Sequence, residues 1–251
     1  KNITSTSTST SSQAEGIWIG GTSPNNCVLV NNVIAGIFDN SNKTTLSYAL
    51  AGIRITAGTG HQIYHNSINL FGVATATNAA ANLSASLLVT STSSSGLDIR
   101  NNIFANSRES FTGSKAYAIY LAGTGNLTSS TINYNDYYVS GSQGVLGFVG
   151  NDCAALPDWQ AVVTQDLNSV AVNPLFNSNT ELTPFTGSPV VGLGIPILTV
   201  TVDILGNPRS DTAPTLGAYE QAGDIAPPSI SFTPLGNTSL LVNRTLVATI
   251  T

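Results

Sequence analysis

Val30-Asn31-Asn32-Val33-Ile34 returns three more times in altered form: Tyr64-His65-Asn66-Ser67-Ile68, Ile99-Arg100-Asn101-Asn102-Ile103 and Asn133-Tyr134-Asn135-Asp136-Tyr137. The asparagines Asn32, Asn66, Asn101 and Asn135 stand 34, 35 and 34 residues apart. A second phrase recurs between them: Gly16-Ile17-Trp18-Ile19, Gly52-Ile53-Arg54-Ile55, Ser86-Leu87-Leu88-Val89 and Ala118-Ile119-Tyr120-Leu121. Ile3, Ile37 and Phe71 add a weaker third at the same interval of 34. A fixed period of this size is the mark of a solenoid.

Helical repeats share such periods, but these phrases alternate apolar and polar residues with period two rather than 3.6. They are rich in Ile, Val and Tyr and are broken by Gly, Asn and runs of Ser and Thr. The chain is therefore predicted to be all-β, a right-handed parallel β-helix with two or three short strands per repeat. Stacking would place equivalent residues about 4.8 Å apart. Asn32, Asn66, Asn101 and Asn135 would then share one turn and bond from coil to coil through their amides. The segments between phrases, residues 4–12, 38–48, 73–86 and 105–116, read as loops projecting from one side.

The chain has 251 residues, 41% of them hydrophobic, enough for one large β domain with a continuous core. Only 8% are charged, against roughly 25% in an ordinary soluble protein, so Ser, Thr, Asn and Gly supply the polar surface. A net charge of -5 leaves no basic stripe for nucleic acid and none for an anionic membrane surface. No apolar run is long enough to span a bilayer. Lys1 at the start and the strand-like run 246–251 at the finish are read as the edges of a piece of a longer parent chain. Cys27 and Cys153 fit either one disulfide or two free thiols.

Beyond Ser140 the repeat fades. Asp158-Trp159-Gln160 opens a polar stretch, helical or irregular. It is followed by Val202-Asp203-Ile204-Leu205-Gly206-Asn207-Pro208-Arg209 and Leu216-Gly217-Ala218-Tyr219-Glu220. The residues Asp203, Gly206, Arg209, Gly217, Ala218 and Glu220 resemble the closing segment of secreted bacterial right-handed β-helix proteins. That resemblance implies a C-terminal cap over the open end of the stack, with Arg209 and Glu220 able to pair there. From Pro227-Pro228 onward, Ser229-Ile230-Ser231-Phe232-Thr233 and residues 240–251 resemble the start of an immunoglobulin-like module of bacterial surface proteins. The domain reading is repeats over 1–150, final coils and cap over 151–222, and a linker with a truncated β-sandwich-like tail over 223–251. The whole is similar to cargo of the type IX secretion route, which implies a secreted or cell-surface location. Asp211-Thr212-Ala213 is similar to the acceptor motif for O-linked glycans in such bacteria.

If Ile17 and Ile19 face inward, Trp18 faces outward, and Arg54, Leu88 and Tyr120 follow it in the next coils. Aromatic faces stack on sugar rings and Arg bonds to hydroxyls or carboxylates, so Trp18, Arg54 and Tyr120 are candidate ligand contacts. Their bland alternative is packing beneath the loops. A second outward row reads Asn31, His65, Arg100 and Tyr134, with Asp98 beside Arg100. His65, Arg100 and Tyr134 are the residue types a polysaccharide lyase uses as base and charge stabiliser, although an Asp98–Arg100 ion pair with His65 merely surface-exposed is the preferred explanation. Carboxylate pairs, zinc motifs and phosphate loops are missing from the sequence. No cofactor is called for, and Ca²⁺ at Asp136 or Asp152 is compatible but not required. The expected function is an adhesin-like surface module that contacts glycan or another cell-surface ligand. The alternatives are a polysaccharide lyase or related enzyme and, last, ice or crystal-surface binding through Thr56, Thr59, Thr75, Thr77, Thr90 and Thr92.

Overall fold

The computed structural model describes residues 3–5, 11, 13–21, 25–40, 46, 49–74, 83–110, 113–221, 230–231 and 249–250. It is a solenoid of parallel coils. The strands run β1 (Ile3–Ser5), β2 (Glu15–Ile19), β3 (Val28–Val30), β4 (Val33–Ala35), β5 (Ile37–Asp39), β6 (Leu50–Ile55), β7 (Gln62–Tyr64) and β8 (Ser67–Leu70). They continue with β9 (Ser84–Val89), β10 (Asp98–Arg100), β11 (Ile103–Asn106), β12 (Ala116–Leu121), β13 (Thr131–Asn133), β14 (Asp136–Val139), β15 (Gly144–Val149) and β16 (Asp152–Cys153). Three sheets form. The first holds β2, β6, β9, β12 and β15, the second β3, β7, β10 and β13, and the third β4, β8, β11 and β14. Each strand pairs in parallel with its counterpart in the next coil, and Ile3 pairs with Ile37 as their spacing requires.

Three inward columns fill the interior. Ile19, Ile55, Val89, Leu121 and Val149 come from the first sheet. Leu29, Ile63, Ile99 and Ile132 come from the second, and Ile34, Ile68, Phe104 and Tyr137 from the third. All are buried in one cluster. Because strand side chains alternate with period two, the register that stacks these columns also fixes which residues face out.

A side-chain ladder runs up the corner between the second and third sheets. The Oδ1 of Asn66 accepts from both the backbone N–H and the Nδ2 of Asn32, at 3.0 and 2.8 Å. Asn102 does the same for Asn66, at 2.9 Å each, and Asn135 for Asn102, at 3.0 Å each. Ser169 Oγ ends the series by accepting from the Asn135 N–H. Each Nδ2 of Asn66, Asn102 and Asn135 also reaches a carbonyl of the coil before, Leu29, Ile63 and Ile99 in turn.

The third rung is Asn102, where the fixed period expects Asn101. The slip has a local cause. Arg54 and Tyr64 are ten residues apart, whereas their partners Leu88 and Arg100 are twelve apart. The turn between β9 and β10 is thus two residues longer and carries the phrase forward. Asn101 instead joins Asn31, His65 and Tyr134 in a column of left-handed residues, φ 60, 56, 52 and 58°. Asn tolerates that conformation well.

The helix α1 (Leu156–Val163) closes the stack. Its Trp159 is fully buried with Leu146, Val149, Cys153 and Val163. The indole lies against Gly147, where a Cβ would sit 2.6 Å from the ring. β16 pairs antiparallel with β15, so the parallel ladder ends there. Trp159 Nε1 and Tyr137 Oη both donate to Asp166 Oδ2 at 2.7 Å.

The segment expected to finish the last coil does not lie on that end. It runs along the flank as a strap. Before it, Val170 adds one more parallel rung to the end of the third sheet, bridging Asp136 and exchanging backbone bonds with Asn135 and Tyr137. Asn101 Nδ2 donates to the Ile195 carbonyl (2.7 Å), and in the first coil Asn31 Nδ2 reaches the Val202 carbonyl (2.8 Å). Val190 and Leu216 pack on Ile103 and Ala105, so the strap covers the outer face of the third sheet. The immunoglobulin-like tail expected over 223–251 lies outside the described residues, apart from the antiparallel two-residue pair Ile230–Ser231 and Thr249–Ile250. Most of the hydroxyl-rich run 4–12 and residues 41–45, 75–82 and 111–112, including Thr75 and Thr77, also lie outside them.

Two substitutions test these supports by urea unfolding. Asn102→Ala orphans two donors on Asn66 and is expected to cost about 2–4 kcal/mol, while Asn32→Ala, at the end of the ladder, costs less than about 1 kcal/mol. Trp159→Ala empties the end plug and should cost about 3–5 kcal/mol.

Candidate functional site

The His65, Arg100 and Tyr134 row predicted from the sequence is divided by the register slip. Arg100 pairs with Tyr64 and Asn133 on the outer face of the second sheet. There its Nε and Nη2 grip Asp98 at 2.6 and 2.7 Å, and Tyr64 Oη donates to the same carboxylate at 2.6 Å. The guanidinium also lies over the Tyr64 ring, 5.3 Å from its centroid. Burial, then the bond to Asp98, pushes the Tyr64 phenol up to about 12. Arg100 is thus committed to a carboxylate and a ring of its own chain.

His65 stands at the left-handed corner, fully buried beneath the strap. Asn101 Nδ2 lies 2.9 Å from its Nε2. Burial and, second, the nearby Arg209 charge depress the imidazole to about 3, against the carbonyls of Gly217 and Thr215, which favour the proton. The ring is therefore neutral and sealed from solvent. Tyr134 is half-buried with Val170, Val172 and Phe176 of the strap.

Arg209 and Glu220, read as a closing pair, form an ion pair at 3.2 Å. Arg209 also donates to the Gly217 carbonyl (2.9 Å) and to Asn31 Oδ1 (2.7 Å), which fixes the strap to the first coil. Asp203 caps the turn before it, accepting from the N–H groups of Leu205, Asn207 and Glu220.

The other outward row forms in the expected register and gains a member: Trp18, Arg54, Leu88, Tyr120 and Phe148. Only its ends are open. Trp18 is 60% exposed, with its Nε1 bonded to Thr56 Oγ1 at 3.0 Å. Arg54 is buried and paired with Glu15 at 2.7 Å, and burial outweighs that pairing to lower its pKa. Leu88 is buried beside it in a second apolar cluster with Ala49, Ala51 and Ala85. At the far end Tyr120 and Phe148 stack at 4.4 Å with planes 4° apart, and Tyr117 meets Tyr120 edge-on at 5.3 Å. Tyr120 and Phe148 are both half-buried. Tyr117 Oη donates to Asp152 (2.8 Å), which Lys115 also pairs.

A groove that the repeats do not announce lies between the third sheet and the strap. Asn69, Ala105 and Tyr138, consecutive in one column, form its floor. Its wall is a hairpin in which Phe176 bridges Pro184, and it carries the 55% exposed Phe185. The volume is about 390 Å³. Phe176 and Phe185 belong to an aperiodic stretch, so no spacing marked them as neighbours of Tyr138.

Cys27 and Cys153 are both free, so the disulfide alternative is not formed. Cys27 precedes β3 in the first coil, and Cys153 lies buried beneath α1 at the other end of the stack. Of the two carboxylates considered for Ca²⁺, Asp136 is fully buried and accepts from the Val172 N–H at 3.0 Å, and Asp152 is held by Lys115 and Tyr117. Among the described residues no group of three or more His, Cys, Asp or Glu could hold a metal, and no helix is long and apolar enough to cross a membrane. Comparison with protein-family models, with curated proteins and with solved structures gives no match.

The buried imidazole makes stability depend on pH. The folded state favours neutral His65, so its contribution is complete above pH 6.5 and is lost as pH falls toward about 3. Asp136 and Asp166, whose carboxyls burial pushes upward, act in the opposite sense. A difference measurement isolates His65. Relative to His65→Asn, which tolerates the left-handed corner, the native chain should lose on the order of 4 kcal/mol between pH 6.5 and 3 in denaturant titrations.

Proposed function

We propose that this chain is an adhesin-like module, secreted or displayed on a bacterial surface, that contacts glycans. It does so through side chains held in fixed register on a stiff solenoid. The observation that carries this reading is the outward row of the first sheet. Its two ends present aromatic rings, Trp18 and the Tyr120–Phe148 stack, while its middle is packed and dry. Trp18 and Tyr120 are three coil spacings apart, about 14 Å. Ring faces at such intervals suit the apolar faces of pyranoses along an extended polymer.

Support also comes from what happens to the groups a lyase would use. His65 is sealed and neutral, and Arg100, a quarter exposed, has its charge met by Asp98, so the two do not present a base and a free cation together. The resemblance to type IX secretion cargo, and with it an extracellular location and further domains in a longer parent chain, belongs to this same proposal.

The test is a screen of the purified chain against acidic and neutral polysaccharides, reading binding and unsaturated-product absorbance together. Binding without product is expected, weakened about tenfold by Trp18→Ala or Tyr120→Ala. New absorbance that disappears in His65→Ala would replace this reading with a lyase. Absence of both signals would overturn it.

A further inference from the structure

We infer that the groove between the third sheet and the strap is a binding site for short, uncharged oligosaccharides. The inference deepens the glycan-contact reading by giving it a second, separate site and a ligand class, and it rests on that reading.

Chemistry of the lining selects the ligand. No charged side chain lines the groove. An acidic sugar would give up its hydration there with no cation to replace it, which disfavours uronates and sulfated glycans. The polar groups are instead neutral and unspent. The hydroxyls of Ser107, Tyr138 and Ser140 and the Asn179 amide have no hydrogen-bond partner among the described residues. Asn173 uses only its Oδ1, for the Leu175 N–H at 3.0 Å, so its Nδ2 is available. Such hydroxyls and amides both donate and accept, as sugar hydroxyls require. Phe185, 55% exposed on the wall, supplies an apolar face opposite them.

Geometry rules out one competitor, an extended peptide adding as a strand. The floor is the face of a sheet, not its edge, and the β8, β11 and β14 backbones are already paired to one another. Strand addition therefore has no free ladder to join, and recognition must come from side chains. The floor column spans three coils, about 10 Å, which is a short oligosaccharide rather than a single ring. The wall is also prefixed. The Asn69 Nδ2 holds the Asn179 carbonyl at 3.0 Å, and the Phe185 N–H holds the Leu175 carbonyl at 2.9 Å. A volume of about 390 Å³ falls within the roughly 300–1,000 Å³ usual for small-ligand sites.

Calorimetric titration of the full chain with a panel of neutral gluco-, manno-, xylo- and galacto-oligosaccharides, beside oligogalacturonate and oligoalginate, tests the inference. At least one neutral oligosaccharide should bind and the acidic ones should not. Phe185→Ala and Asn179→Ala are surface changes, and their unchanged melting temperatures would confirm folding. Each is expected to weaken neutral binding about tenfold. Preference for the acidic panel, or binding that ignores both groove variants but is lost in Tyr120→Ala, would overturn the groove site and leave the general glycan reading standing. Polysaccharide binding with no oligosaccharide binding would do the same. A chain that binds neither overturns both.

Discussion

Everything in this molecule follows from the register between coils, and one buried amide column does most to fix it. A sheet could slide by one residue without losing its backbone bonds, but such a slip would turn every inward Ile and Leu to solvent. The Asn32, Asn66, Asn102 and Asn135 column resists it. The carboxamide oxygens of Asn66, Asn102 and Asn135 each take two donors from the coil before, and their amide nitrogens each return to a carbonyl. Sliding would strand those groups in an apolar interior, where unmet hydrogen bonds are costly. The outward rows inherit their alignment from this constraint.

A second layer decides which outward residues meet water. The strap lies on the third sheet and leaves the first to its own alanine- and leucine-rich cover. That division explains why equivalent positions on the solenoid have different fates. Trp18 is open and Arg54 is not, although they are neighbours in one row. His65 occupies a corner that would be exposed on a bare coil, and the strap and Arg209 turn it into a buried neutral ring.

Much of the architecture was legible because strand stacking writes itself as recurrence. The Gly16, Gly52, Ser86 and Ala118 phrases give the first sheet its register, including the row from Trp18 to Tyr120. The same assumption of a constant period misassigned one rung. Two adjacent asparagines at 101 and 102 offered a choice that only the length of the preceding turn could decide. The pairing of Arg209 with Glu220 was foreseeable, but their place beside Asn31, on the flank and not over the end, was not. That docking joins positions more than 170 residues apart and has no periodic trace. The groove was invisible for the same reason, since its aromatic wall comes from irregular chain and its floor from the repeats.

The strap also changes how such a solenoid would come apart. A bare stack is held only by neighbour-to-neighbour contacts and can fray from either end one coil at a time. Here the chain that leaves the last coil returns to grip the first, through Arg209 and the carbonyl of Val202. The terminal coils are thereby lashed into one mechanical unit. Opening of the first coil therefore has to break contacts made by chain that follows the last, which couples the two ends of the stack.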